Sequence, residues 1–282
     1  MYKIKTICVC GAGTMGSGIA QLAAMAGYPT IQFDLNPEML IKSQSLIEKN
    51  LSWLAGKEKI SEAQKTACLN NIVFTAEISG CVADLVIEAI IEKKEAKIDL
   101  FNQLTAINTP QTIFATNTSS ISVSELAAGI DHPERFAGMH FFNPAPIMKL
   151  VEVITTPDTH PDAGKALYEL AVKMGKTAVF CKDAPGFIVN RVARTYYLEA
   201  MKLVSEGLAS VETVDAVLEA TGFKMGPFRL MDLIGMDINY SVSRIVWEAL
   251  GKPERLTPSP LQKAKVDAGE LGRKTGKGFY TY

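Results

Sequence analysis

The sequence predicts an α/β fold, in which a doubly wound domain with a parallel sheet is followed by a smaller all-helical domain. Short apolar runs alternate with helical stretches through the first two-thirds of the 282 residues. The strand-like runs then largely stop after the segment Asp183–Gly186, and helical periodicity takes over. We therefore expect one domain at residues 1–184 and a second at residues 185–282.

Each expected element follows from its local pattern. Several strand-like segments are continuously apolar, as expected where helices cover both faces of a parallel sheet. The expected strands are Thr6–Cys10, Thr30–Phe33, Ile72–Thr75, Leu85–Ile87, Ile113–Thr116, Phe136–His140, Val151–Ile154 and Thr177–Phe180. The expected helices of the first domain are Met15–Ala26, Glu38–Leu54, Ser61–Leu69, Glu92–Leu104 and Asp162–Met174. Those of the second domain are Ile188–Glu206, Val211–Ala220, Asp237–Leu250 and Leu261–Ala268, with helix-ending glycines at Gly207, Gly222 and Gly251.

Composition excludes several classes of protein. The chain is 48% hydrophobic and 21% charged, with a formal net charge of −1, so no bulk field attracts nucleic acid or an anionic membrane. No run approaches the roughly 20 apolar residues of a membrane span. The N-terminal residues have no features of a targeting peptide. Five scattered cysteines, with Cys8 and Cys10 on one face of a strand, suit buried thiols rather than disulfides. We expect a cytoplasmic protein.

A glycine-rich turn joins the first expected strand to the first expected helix. Its residues run from Gly11 through Gly13 and Met15 to Gly16. In a Rossmann-type dinucleotide site, the first glycine permits the tight turn, the second admits the pyrophosphate, and the third lets the helix pack on the strand. The helix N-terminus then binds the phosphates. The motif alone is weak, but its place between a strand and a helix predicts a nucleotide site.

Asp34 ends the second expected strand, 18 residues after Gly16. A carboxylate at this point accepts hydrogen bonds from the ribose hydroxyls and repels a 2′-phosphate. No Arg or Lys follows closely in the segment Leu35–Pro37. The sequence therefore favours NAD over NADP.

One histidine stands out among three. His140 ends an apolar strand beside aromatic residues, whereas His132 and His160 each precede a proline in loop-like segments. Glu152 lies inside the next apolar strand, where an acidic side chain is costly unless it is paired. An alcohol dehydrogenase needs a base to remove the hydroxyl proton, and a carboxylate can orient such a base. From spacing alone, a structural role for His140 remains an equal alternative.

Longer motifs place the chain beside a known family. It resembles the L-3-hydroxyacyl-CoA dehydrogenases, especially the bacterial 3-hydroxybutyryl-CoA dehydrogenases, over nearly its whole length. The segments that carry the resemblance are GAGTMG, LVIEAIIE, ATNTSSIS, HFFNPAPIMKLVEVI, APGFIVNR, MGPFRLMDLIGMD and GRKTGKGFY. The long block that begins at His140 is far more specific than the glycine turn.

The resemblance assigns roles to individual residues. It implies that His140 and Glu152 form the proton-transfer pair, that Ser119 binds the 3-hydroxyl, and that Asn190 polarises the reacting oxygen. It places the active site between the two domains and implies a homodimer, with dimer contacts from the helical domain. The implied NAD contacts, besides those of the glycine turn, are Asp34, Glu92, Lys97, Ser119, Asn143 and Lys274. Without the resemblance, Glu92 and Lys97 would be a solvated helix face.

The segment expected to bind CoA departs from the family. Asn50 and Lys57 are the implied substrate contacts, but Trp53 and Gly56 occupy positions where related bacterial sequences often have lysine. Fewer cations predict weaker and less salt-sensitive CoA binding. Trp53 either stacks on adenine or packs against the domain surface.

Two alternatives to an acyl-CoA dehydrogenase remain at this point. The first is a two-domain dehydrogenase of a free hydroxy acid, which typically uses a catalytic lysine in a motif that this chain lacks. The second is a non-enzymatic NAD-binding relative, which would have lost one or more of His140, Glu152, Ser119 and Asn190. We expect no metal.

Overall fold

The eight expected strands are all present and form one sheet. They are β1 (Ile7–Cys10), β2 (Thr30–Phe33), β3 (Ile72–Thr75), β4 (Leu85–Glu88), β5 (Ile113–Thr116), β6 (Phe136–Phe141), β7 (Leu150–Thr155) and β8 (Thr177–Lys182). Their order across the sheet is β3-β2-β1-β4-β5-β6-β7-β8. The computed structural model describes residues 2–282.

The strand order creates a crevice between β1 and β4. The chain winds outward from β1 to β2 and β3, then crosses back to place β4 on the other side of β1. Strands β1 to β6 run parallel, so their carboxyl ends share one edge of the sheet. β7 runs antiparallel to β6, and β8 pairs parallel with β7. In such doubly wound sheets the ligand binds outside the carboxyl ends, at the point where the winding reverses.

Eleven α-helices of four or more residues complete the described part of the chain. In the first unit they are α1 (Thr14–Met25), α2 (Pro37–Gly56), α3 (Glu62–Asn70), α4 (Lys94–Ile107), α5 (Val123–Ala127) and α6 (Pro161–Lys173). In the second unit they are α7 (Val189–Ser205), α8 (Val211–Ala220), α9 (Pro227–Ile234), α10 (Met236–Ala249) and α11 (Pro260–Asp267). The first unit ends at Asp183 and the second spans Ala184–Tyr282. The predicted fold class is confirmed.

Differences from the expected helices have local causes. The helix α5 was not expected, because five residues are too few to establish a helical period, and α9 was not expected either. The expected helix Glu92–Leu104 begins two residues late, so Glu92 lies in the turn before α4 rather than on its face. The helix-ending glycines Gly207, Gly222 and Gly251 have positive φ angles of 71°, 108° and 76°.

Each unit has a core of its own. In the first, buried aliphatic side chains of the sheet pack against α1 on β1 and against α6 on β6, β7 and β8. In the second, Met201, Phe228, Met231 and Met236 are completely buried among α7, α9 and α10. Burying side chains of this size stabilises a fold by about 1.5–3 kcal/mol each.

Buried carboxylates hold the C-terminal tail of the second unit. Asp232 is 1% exposed and accepts hydrogen bonds from the backbone amides of Phe279 and Tyr280, both at 2.9 Å. Asp215 accepts from the hydroxyl of Tyr280 at 2.8 Å. These bonds account for the ordered tail in the glycine- and lysine-rich terminal motif.

The cysteines are free thiols, and four of the five are buried. The Sγ atoms of Cys8 and Cys10 lie 3.9 Å apart on one face of β1, as their spacing predicted, and Cys81 joins them. All three residues are completely buried, so they contribute to the core. Among the described residues, no helix combines the length and the apolar character needed to cross a membrane.

Candidate active site

The glycine turn joins β1 to α1 at the crevice. Gly11 has a φ angle of 106°, and a Cβ on it would lie 2.5 Å from the carbonyl oxygen of Ala89, so only glycine fits. A Cβ on Gly13, in contrast, would meet no atom within 4 Å, because it would enter open space. Gly13 caps α1 without a side-chain hydrogen bond, which leaves the positive end of the helix facing that space. These features fit a bound pyrophosphate.

Asp34 lies directly beside this turn. Its Oδ2 accepts a hydrogen bond from the backbone amide of Ala12 at 2.8 Å, and its Oδ1 accepts from the amide of Asn36 at 2.9 Å. Both bonds hold the carboxylate in the wall of a cavity of about 820 Å³. The cavity is lined by Gly11, Gly13 and Asp34, and by apolar side chains after β2 and β4. Its size and mixed lining suit a nucleotide.

His140 and Glu152 are directly opposite each other on the antiparallel strands β6 and β7. The Nδ1 atom of His140 lies 2.8 Å from Oε2 of Glu152, and the two residues are 3% and 0% exposed. An ionised carboxylate only accepts hydrogen bonds, so Nδ1 carries a hydrogen, and in the neutral imidazole Nε2 then presents its lone pair on the opposite side of the ring. The structure therefore joins the two residues that the sequence singled out.

Ser119 lies on that opposite side. Its Oγ is 3.0 Å from Nε2 of His140, in the loop that follows β5. The loop is tied to β6, because the side chain of Asn117 accepts a hydrogen bond from the amide of Phe141 at 2.9 Å. A substrate hydroxyl beside Ser119 would thus meet a base that is already oriented.

Glu92 gathers the residues of this loop. Its Oε1 accepts hydrogen bonds from the hydroxyl of Thr118 at 2.5 Å, from the amides of Ser119 and Ser120 at 3.1 and 3.2 Å, and from the Ser120 hydroxyl at 2.8 Å. Its Oε2 lies 3.1 Å from Nζ of Lys97. Burial acts to raise the pKa of Glu92, but the Lys97 ammonium and the hydroxyl donors outweigh it and hold that pKa below its usual value.

Lys97 is not on a solvated helix face. Its side chain is 1% exposed, and its Nζ lies 2.5 Å from Oε1 of Glu88, a completely buried carboxylate at the end of β4. Glu88 is not among the site residues predicted from the sequence. The signal was present, since an acidic residue that ends an apolar run needs a partner for the same reason as Glu152 does. The expected strand stopped one residue short of it.

Asn143 is exposed in the turn between β6 and β7. Lys176 stabilises that turn, because its Nζ donates hydrogen bonds to the carbonyl oxygens of Ala145 at 2.6 Å and Met148 at 2.8 Å. Burial lowers the pKa of Lys176. The turn that presents Asn143 is therefore braced, and the contact of Asn143 with NAD stays a prediction.

Asn190 and Lys274 belong to the second unit. Asn190 lies in the first turn of α7, where its carbonyl oxygen accepts a hydrogen bond from Nε of Arg194 at 3.1 Å. Burial lowers the pKa of Arg194 to about 10. Lys274 makes an ion pair with Asp237, with its Nζ 2.6 Å from each carboxylate oxygen. The roles of Asn190 and Lys274 stay predictions.

The expected CoA contacts lie along and after α2. Lys57 follows the helix and is exposed, whereas the Asn50 amide donates to the side-chain oxygen of Gln21 at 3.1 Å. Trp53 is 60% exposed, which disfavours the alternative that it packs against the domain surface.

The glycine turn, the carboxylate after β2 and the oriented imidazole together define a class, that of the nicotinamide-dependent alcohol dehydrogenases. Comparison with known proteins identifies the family. A model of the 3-hydroxyacyl-CoA dehydrogenase NAD-binding domain matches residues 6–184, and one of the C-terminal domain of that enzyme matches residues 186–282. The chain belongs to the 3-hydroxyacyl-CoA dehydrogenase family.

Individual relatives agree. The 3-hydroxyadipyl-CoA dehydrogenase of Escherichia coli K12 is 43% identical over the whole chain, which spans 60% of the length of that relative. A probable 3-hydroxybutyryl-CoA dehydrogenase of Deinococcus radiodurans is 42% identical over 97% of this chain and 99% of its own. The crystal structure of (S)-3-hydroxybutyryl-CoA dehydrogenase from Ralstonia eutropha superposes with a TM-score of 0.95 at 37% identity, covering 99% of both chains. The predicted family, NAD as cofactor and NAD-dependent 3-hydroxyacyl-CoA dehydrogenation are confirmed.

Proposed function

We propose that this dehydrogenase interconverts short (S)-3-hydroxyacyl-CoA and 3-oxoacyl-CoA thioesters, with His140 as the base. The observation that carries the proposal is the position of the His140 ring between two partners, with Glu152 at 2.8 Å from Nδ1 and Ser119 at 3.0 Å from Nε2. This arrangement supports removal of a proton at one defined atom.

The proposed proton transfer takes place at Nε2 of His140. In the oxidative direction Nε2 accepts the proton of the substrate 3-hydroxyl, which Ser119 orients by a hydrogen bond. Glu152 stabilises the imidazolium that results, because its carboxylate already accepts from Nδ1. In the reductive direction the same imidazolium returns the proton to the oxygen. Asn190 is proposed as the second group that polarises this oxygen.

The nucleotide is proposed to occupy the cavity beside the glycine turn. NAD, when bound, accepts the hydride that leaves C3 of the substrate. The backbone at Gly13 admits its pyrophosphate, and the Asp34 carboxylate accepts from its ribose hydroxyls and disfavours a 2′-phosphate. Glu92, Lys97, Asn143 and Lys274 are proposed as further contacts, with Met15 and Gly16 in the turn.

The acyl chain is proposed to be short on the strength of the relatives named for 3-hydroxybutyryl-CoA. The Escherichia coli relative is named for a six-carbon dicarboxylic substrate, so relatives with similar sequences are named for acyl groups of different length. For the CoA group, we propose Asn50 and Lys57 as contacts. Lys57→Ala is expected to raise the KM for acetoacetyl-CoA severalfold.

A spectrophotometric assay of NADH oxidation tests the proposal. We expect activity with acetoacetyl-CoA, a lower kcat/KM with its C6 and C8 homologues, and none with free acetoacetate. Turnover of free acetoacetate at a comparable rate would favour a hydroxy-acid dehydrogenase. Absence of turnover with every thioester would favour a non-catalytic NAD-binding protein. A 3-oxoadipyl-CoA arm distinguishes a dicarboxylic substrate from a short monocarboxylic one.

We further propose a homodimer that forms through the helical second unit, and a cytoplasmic location. The five free thiols support a reducing compartment. Sedimentation equilibrium tests the dimer, for which a mass near 61 kDa, roughly twice the 30.6 kDa of one chain, is expected.

A further inference from the structure

A three-residue ionic bracket, formed by Glu88, Lys97 and Glu92, lies behind the Ser119 loop. The Lys97 ammonium is shared between two carboxylates, at 2.5 Å from Glu88 and 3.1 Å from Glu92. The members differ in exposure, since Glu88 and Lys97 are buried whereas the Glu92 side chain is 40% exposed. Burying the charges of Glu88 and Lys97 costs desolvation free energy, which an ordinary surface salt bridge does not.

Each carboxylate holds one end of the loop. At its start, Oε2 of Glu88 accepts a hydrogen bond from the hydroxyl of Thr116 at 2.7 Å, and the Thr116 oxygen accepts from the amide of Thr118 at 3.2 Å. At its far end, Glu92 accepts from Thr118, from the Ser119 amide and from Ser120. The distance between the two carboxylates is in turn limited by the lysine that both contact.

Glu88 is fixed more rigidly than Glu92. It is the last residue of β4, lies opposite Thr116 in the parallel register, and also accepts from the amide of Ile90 at 2.7 Å. Glu92 lies in an irregular turn and has no such anchor in the sheet. Apart from its hydrogen bonds to the loop, the Glu92 carboxylate contacts Lys97, which Glu88 contacts in turn.

We propose that Glu88 is a positioning residue for the reaction. Glu88 holds Lys97, Lys97 holds Glu92, and Glu92 sets the Ser119 loop at hydrogen-bond distance from Nε2 of His140. The proposal rests on the proposed roles of His140 and Ser119. It adds a residue that touches neither substrate nor the reacting atoms, and that acts through a chain of charges.

The test is a double-mutant cycle in the full-length enzyme. Glu88→Gln keeps the shape of the side chain, but it replaces one acceptor oxygen by an NH2 donor and removes the charge that holds Lys97. We expect kcat for acetoacetyl-CoA reduction to fall about tenfold, while the KM for acetoacetyl-CoA changes less than twofold. In the Glu92→Gln background, the same substitution is expected to change kcat less than twofold, because the link through which Glu88 acts is already absent.

Glu125→Gln is the matched control, because it removes the charge of another glutamate that pairs with a lysine of α4, at 2.8 Å and on the surface. Its kcat is expected to equal that of the parent. A folded Glu88→Gln enzyme with the kcat of the parent would overturn the proposal. A tenfold loss of kcat on adding Glu88→Gln to the Glu92→Gln enzyme would also overturn it, because Glu88 would then act independently of Glu92. Thermal unfolding of each variant identifies loss of fold. An inactive parent, by contrast, would refute the proposed function and not the bracket.

Discussion

Two buried ion pairs lie near the carboxyl ends of the same sheet, and they differ in what their cation can do. In the His140–Glu152 pair, the cation would exist only while the imidazole carries a second proton. In the Lys97–Glu88 pair, the ammonium also contacts Glu92, and the proposed reaction passes no proton through these groups. The His140–Glu152 pair is therefore suited to proton transfer, and the Lys97–Glu88 pair to stabilising the local structure.

The comparison predicts that the two pairs fail in different ways when one member is removed. Loss of the imidazole should abolish turnover and leave the fold almost intact. Loss of the ammonium should weaken the fold, because a completely buried carboxylate then lacks its compensating charge. The variants below test this division, from the largest expected effect to the smallest.

His140→Gln is expected to lower kcat about 10³-fold, because glutamine cannot accept the substrate proton. The dissociation constant of NADH, measured by fluorescence titration, should change less than twofold. His160→Gln, at an exposed helix cap, is the control and should retain parental kcat. Retention of a tenth or more of the parental kcat in His140→Gln would contradict the assignment of the base.

Lys97→Met is expected to lower the free energy of unfolding by about 3 kcal/mol, because Glu88 is left buried without a cation. Urea unfolding at pH 7 measures the difference. Lys94→Met provides a control three residues earlier in α4, since the Lys94–Glu125 pair is 40% and 62% exposed. Its effect should stay below about 0.5 kcal/mol. Equal losses of unfolding free energy in the two variants would show that the burial of the Lys97–Glu88 pair does not make it more stabilising than the exposed Lys94–Glu125 pair.

Glu152→Gln is expected to lower kcat about 10²-fold, because a neutral amide stabilises the imidazolium less than a carboxylate does. The loss should be smaller than that of His140→Gln, and the double variant should be no worse than His140→Gln alone. Stopped-flow measurement of the NADH absorbance separates this chemical effect from product release. A double variant much slower than either single one would mean that the residues do not act as a pair.

The smallest expected effect concerns acid. The pKa of Glu92 is held below its ordinary 4.5, so its ionised form stabilises the folded protein fully above about pH 4.5. This contribution is lost as the pH falls through the lowered pKa of the folded state. The difference in unfolding free energy between the parent and Glu92→Gln should therefore be constant from pH 7 to 5 and shrink below 4.5. A pH-independent difference in urea unfolding would contradict it.

Much of the fold could be predicted because its signals are local. Continuously apolar runs predicted the strands, and the glycine turn predicted the nucleotide site. Both signals depend on residues that are close together in the sequence. The pairing of His140 with Glu152 could be suspected but not established, because it depends on the register of two strands. A carboxylate in an apolar strand indicates that a partner exists, and it does not say which residue that partner is.

The bracket could not be predicted for a related reason. Lys97 occupies a helix whose sequence looks solvated, yet its side chain is buried where it contacts the carboxylates of Glu88 and Glu92. The five-residue helix α5 escaped notice because its period is incomplete. In each case the missing information lies in contacts between segments that are distant along the chain.

The direct opposition of His140 and Glu152 across β6 and β7 has a consequence for how the chain tolerates insertions. A residue added to the turn at Pro146 lengthens the loop and leaves the residue pairs between β6 and β7 unchanged. A residue added inside β7, between Val151 and Glu152, moves the carboxylate to the other face of the sheet, because side chains alternate with a period of two. The position of Glu152 opposite His140 therefore constrains the parity of β7 rather than the number of residues in the turn before it.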